Sequence, residues 1–85
     1  MEIEYSSHFA RAYRTLSVSI QRKAERQEAL FRKSPFDPRL QTHKLHGKLK
    51  DFYSFSIDRR YRIVFKFITP RKVIFLDAGD HAVYQ

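Results

Sequence analysis

This sequence predicts an α+β fold, with an N-terminal strand and a helical hairpin packed on one face of a small, mostly antiparallel β-sheet. Three observations carry that expectation. Residues 2–5, EIEY, alternate polar and apolar, the period of a strand. Between 6 and 33, apolar residues recur at helical spacing. From 52 onward, three runs alternate with period two and are joined by the short links DRR and TPR, which suit hairpins. The order β-α-α-β-β-β, with helices ahead of a meander, gives the layout.

Each element has its own signal. Ser6 or Ser7 can cap the first helix, on which Phe9, Tyr13 and Leu16 share a face. Ser17 can cap the second helix, where Ile20, Ala24, Gln27 and Phe31 form a stripe widened by Leu30. Its other face carries Arg22, Lys23, Arg26 and Lys33 with Glu25 and Glu28, a solvated amphipathic surface. SPFDP ends the helix, because each proline disfavours helical backbone in the residue before it. A basic connector follows, with a short extended piece at HKL and a turn or bulge at Gly47. The last three strands are placed at 52–57, 61–68 and 72–78. Parity puts Tyr53, Phe55, Ile57, Ile63, Phe65 and Phe67 on the floor of the core. It leaves Ser54, Ser56, Arg62, Val64 and Lys66 on the opposite face, which by default is an ordinary solvent surface.

Composition narrows the function. The 85 residues, 42% of them hydrophobic, suffice for a single domain spanning 1–85. No cysteine is present, which excludes disulfides and thiolate zinc sites and fits a reducing cytoplasm. No apolar run approaches the roughly 20 residues of a membrane helix, and no signal-peptide pattern opens the chain. Seventeen Lys and Arg against nine Asp and Glu give a net charge of +8. A domain so basic attracts polyanions, most commonly nucleic acid.

No nucleophile elbow, glycine-rich phosphate loop or carboxylate pair is visible. The HKLH spacing of His43 and His46 falls in a segment without helical pattern, so neither metal nor cofactor is expected. What remains is a set of His, Tyr, Arg and Lys. Such a set suits metal-free RNA cleavage, in which the ribose 2′-OH attacks the adjacent phosphate. The reaction needs a base, an acid for the leaving 5′-oxygen, and cations for the phosphorane. Histidine serves near neutral pH because its ordinary pKa is about 6.5. Arginine offers a planar fork to phosphoryl oxygens.

The run LHGKLKDFYSFSIDRRYRIVFKF, followed by VIFLDAGDHAVY, resembles the RelE/ParE toxin superfamily, in particular its RelE-type (RelE/StbE and YafQ-like) messenger-RNA interferases. The resemblance covers essentially the whole chain and is strongest at 61–65 and 79–84. It implies a groove on the sheet face away from the helices. It implies that Arg62 stabilises phosphate charge, that His81 is the general acid, and that Tyr84 stacks on a base or assists proton transfer. His43 falls on a histidine of the YafQ-like members and is the first choice for general base, with His46 the second. Ser54 and Ser56 stand where RelE carries lysines and, in another subgroup, the second position carries a histidine. Here they would be small residues that let RNA approach the sheet, or simple polar positions of a strand. Lys44, Lys48, Lys50 and Lys66 are expected to contact phosphates.

The resemblance further implies a bacterial or archaeal toxin of a type II toxin–antitoxin system, acting in the cytoplasm. It would cut messenger RNA on the ribosome and so inhibit translation. Its partners would be an acidic antitoxin, the ribosome and mRNA, with no membrane. Toxin and antitoxin would form a hetero-oligomer that binds operator DNA through the antitoxin. Two other readings remain open at this point: a ParE-like, non-enzymatic inhibitor of DNA gyrase, and a homologue that keeps antitoxin binding without catalysis.

Overall fold

A computed structural model describes residues 1–49 and 51–80. The elements are β1 (Glu2–Tyr5), α1 (Ser7–Arg14), α2 (Val18–Lys33), β2 (His43–Lys44), β3 (Tyr53–Ser56), β4 (Tyr61–Thr69) and β5 (Lys72–Asp80). Single 3-10 turns at Pro38–Leu40 and Gly47–Leu49 flank β2. The sheet order is β1-β5-β4-β3-β2. β1 runs parallel to β5, and every other pairing is antiparallel. No helix among the described residues is long and apolar enough to cross a membrane.

Local chemistry sets the helix ends. Ser6 is the cap of α1: it is extended, and its Oγ accepts from Phe9 N–H at 3.0 Å. Ser17 does the same for α2, accepting from Ile20 N–H at 3.2 Å. Each cap satisfies a donor that the first helical turn leaves without a partner. Ser34, ahead of Pro35, is extended and closes α2. Arg11 and Arg14, then Arg32 and Lys33, sit in the last turns, where cations complement the helix dipole. Gln21 locks the corner between the helices, its Nε2 donating to the carbonyls of Tyr13 and Leu16.

The core lies between the hairpin and one sheet face. Phe31, Phe55, Phe65 and Phe75 are wholly buried and touch one another ring to ring; the Phe31–Phe55 centroids are 4.8 Å apart. Phe9, Ala24, Ile57 and Ile63 belong to the same cluster, so the parity argument selects the right face. Tyr53 and Phe67, expected on the core floor, are only half-buried, because α2 ends before it covers that end of the sheet.

Two expectations are corrected. β5 runs to Asp80 rather than ending at Ala78, which brings Gly79 opposite Arg62 and Asp80 opposite Tyr61. The second sheet face is not an ordinary wet surface. Ser54, Ser56, Arg62 and Val64 are all buried, and of that set only Lys66 is exposed. Part of the cover comes from the connector, through Leu45, which is buried outside the main core cluster, and through Gln41.

Candidate functional site

The second face is organised as cross-strand rows. In one, Ser56 on β3, Arg62 on β4 and Gly79 on β5 stand side by side. In the next, His43 on β2, Ser54, Val64 and Asp77 follow in order. Directly opposed residues project to the same face, so these side chains share one surface. Arg62 is the one large cation among them, and its cross-strand neighbours on both sides are small.

Arg62 is only 9% exposed. Burial pushes its guanidinium below its ordinary pKa. A charge so desolvated gains more from an incoming anion than a surface arginine does, because less water competes. Two carboxylates of the neighbouring strands and turn, Asp58 and Asp77, make bonds of their own. Asp58 accepts from the N–H groups of Arg60 and Tyr61 and pairs with Lys23. Asp77 accepts from Ala78 N–H and pairs with His8 at 3.2 Å.

The serines differ in their partners. Ser56 Oγ donates to Gln41 Oε1 at 3.3 Å, and its carbonyl accepts from Gln27 Nε2 at 2.9 Å. Ser54 is fully buried, and its Oγ has no hydrogen-bond partner among the described residues. A lysine at Ser54 would lose its hydration in this fold, which explains why the position carries a small residue.

His43 shares the face with Ser54 and is exposed, its Nδ1 3.0 Å from the carbonyl of Gln41. Two strand spacings and two residues of rise separate it from Arg62, about 12 Å between Cα atoms, a span that the two side chains can narrow around one phosphate. His46 is exposed and precedes Gly47, whose φ of 69° is the left-handed backbone of a turn. Lys48 is exposed on that turn. Lys44 pairs with Tyr53 and so belongs to the opposite sheet face, apart from Ser54 and Arg62. His81, Tyr84 and Lys50 lie outside the described residues.

Two contributors escaped the sequence reading. Gln41 adopts a left-handed conformation (φ 52°), rare for a residue that is not glycine, and reaches Ser56. Gly79 falls within the 79–84 stretch of the resemblance but carried no role there; its place in a strand opposite Arg62 needed the true end of β5. Among the described residues, no group of three or more His, Cys, Asp or Glu is arranged to hold a metal ion. A cavity of about 500 Å3 lies between β1, α1 and α2, lined by Tyr5, Phe9, Tyr13, Ala24 and Ile63. It opens on the helix side of the sheet, away from Arg62.

Compared by sequence, the chain matches no family model and no curated protein. Compared by structure, it is similar to YafQ from E. coli strain BL21(DE3), with a TM-score of 0.79 at 19% identity over 96% of this chain and 94% of that one. The YoeB/ParE toxin from Agrobacterium tumefaciens aligns with a TM-score of 0.77 at 14% identity, over 95% and 99%. The E. coli DinJ-YafQ toxin-antitoxin complex aligns with a TM-score of 0.71 at 20% identity, over 96% and 93%. TM-scores of 0.71 to 0.79 over nearly the whole of both chains carry the assignment: this chain has the RelE-like fold of the YafQ and YoeB toxins.

Proposed function

We propose that this chain is the toxin of a toxin–antitoxin system and acts as a metal-independent endoribonuclease on messenger RNA, on the ribosome. The observation that carries the reading is Arg62, a nearly buried guanidinium between Ser56 and Gly79 on the face turned away from the helices. Its fork would hold the scissile phosphate. The ribose 2′-oxygen attacks phosphorus, the bond to the 5′-oxygen breaks, and the products are a 2′,3′-cyclic phosphate and a 5′-hydroxyl. Charge builds on the non-bridging oxygens in the transition state, where a desolvated cation stabilises it most.

His43 is suited to remove the 2′-OH proton, since it shares the face with Ser54 and is exposed to substrate. His46 is the second candidate. His81 is proposed as the acid that protonates the 5′-oxygen, and Tyr84 as a stacking partner for a base. Ser54 and Ser56 shape the floor, and Lys48, Lys50 and Lys66 would contact flanking phosphates. An acidic antitoxin would suit the net charge of +8, and one structural neighbour is described as a complex of toxin with antitoxin.

Primer extension on cellular messages after induction tests this reading. New 5′ ends within coding sequence are expected. Arrested growth with intact messages and inhibited DNA supercoiling would point instead to a gyrase inhibitor on the same fold.

A further inference from the structure

The aromatic core does not stop at its buried centre. Phe65 contacts both Tyr53 and Phe67, at centroid distances of 5.5 Å each. Those two half-buried rings meet Phe36, at 6.1 and 6.2 Å. Phe36 is 57% exposed and lies 11° from parallel with Phe67. The outermost ring of a rigid stack is thus open to solvent.

The ring is held there by its loop. Pro35 and Pro38 flank it, the Pro35 carbonyl accepts from Thr42 Oγ1 at 2.6 Å, and Asp37 caps the 3-10 turn through Arg39 N–H. Prolines and these bonds limit the motion of the segment, so ordering Phe36 for a ligand costs little entropy.

Cations border the platform. Lys44 stands opposite Tyr53 on the same sheet face, and Lys33 ends α2 three residues before Phe36. Both are exposed, and no carboxylate lies within ion-pair distance of either among the described residues. The one acid of the loop, Asp37, is committed to Arg39 at 2.9 Å. An open ring face flanked by lysines free of acidic partners is the combination that binds single-stranded nucleic acid, with bases on the rings and phosphates on the cations.

We infer that Phe36, Tyr53 and Phe67, with Lys33 and Lys44, form a second contact surface for single-stranded RNA, on the sheet face opposite Arg62. One base stacks on Phe36, and the adjoining phosphates meet the two lysines. The surface recognises strand chemistry rather than sequence, and it operates whether or not the Arg62 face cleaves.

The chain contains no tryptophan, so Phe36→Trp creates a unique reporter at the platform. Titrating this variant with an unstructured oligoadenylate should quench its emission. In the Phe36→Ala chain, a labelled oligonucleotide should bind roughly ten-fold more weakly or worse, with the thermal midpoint little changed. Lys33→Glu with Lys44→Glu should make the salt dependence shallower by about 1.4 in log–log slope, two contacts at roughly 0.7 each. The quench should persist when Arg62 is also replaced by lysine, which separates this surface from the cleavage face. RNA binding that leaves the tryptophan emission unchanged, or no RNA binding at all, would overturn the inference. Stronger quenching by DNA of the same sequence would overturn the RNA assignment. So would quenching by an acidic protein segment but not by RNA.

Discussion

Ser56 and Arg62 are directly opposed across β3 and β4, and Gln41 accepts the Ser56 hydroxyl from the connector. The residue beside the buried guanidinium is therefore small, neutral and anchored to the segment that carries His43. That arrangement places a small, neutral side chain directly across from Arg62 on β3, and Gly79 stands across from it on β5.

Arg62→Lys keeps a cation but loses the planar fork. Cleavage should fall by about 10²–10³-fold, the scale for losing one well-placed donor to a developing oxyanion. Circular dichroism should be unchanged, and single-turnover rates on ribosome-bound message provide the measurement. Full activity in the lysine variant would show that the fork is not used.

Ser54→Ala removes a buried hydroxyl that has no partner among the described residues. Its thermal midpoint should stay level or rise, by up to about 1 kcal/mol in stability. Ser54→Lys should destabilise strongly, because the position is wholly buried. Equal midpoints for the lysine variant and the parent would contradict the burial described here.

Asp58 ties the β3–β4 turn by accepting from Arg60 and Tyr61 N–H at 2.8 and 2.9 Å. Burial works to raise its pKa, but those bonds and Lys23 outweigh it, and the net shift is downward. A carboxyl depressed by folding contributes stability above its unfolded value of about 3.9. That contribution fades as pH falls through the lower, folded value. Asp58→Ala should therefore cost about 1–2 kcal/mol at pH 7 and progressively less in acid. A cost independent of pH would contradict the assignment.

Phe31 joins α2 to all three central strands through Phe55, Phe65 and Phe75. Phe31→Ala should cost about 3–5 kcal/mol, enough to unfold much of a domain this small. Urea denaturation reads the loss directly.

Much of this fold was legible because periodicity reports burial. Phe9, Ala24, Phe31, Phe55 and Ile63 all lie in the core as their spacing requires. The second face was misread for a physical reason. Ser54, Ser56 and Arg62 alternate like solvent positions, yet the connector that helps to bury them has no period to announce where it folds. Lys44 shows the converse. Its charge suggested a phosphate contact without saying on which face, and one residue of register places it with Tyr53, on the sheet face opposite Arg62.

The chemistry of the RNA ends tests the central claim most directly. Message from translating ribosomes treated with this protein should carry new 5′-hydroxyl ends paired with 2′,3′-cyclic phosphates, and these should be lost with Arg62→Ala in a chain that remains folded. Ends of the same number and kind from the Arg62→Ala chain, or arrested translation with uncut message, would contradict it.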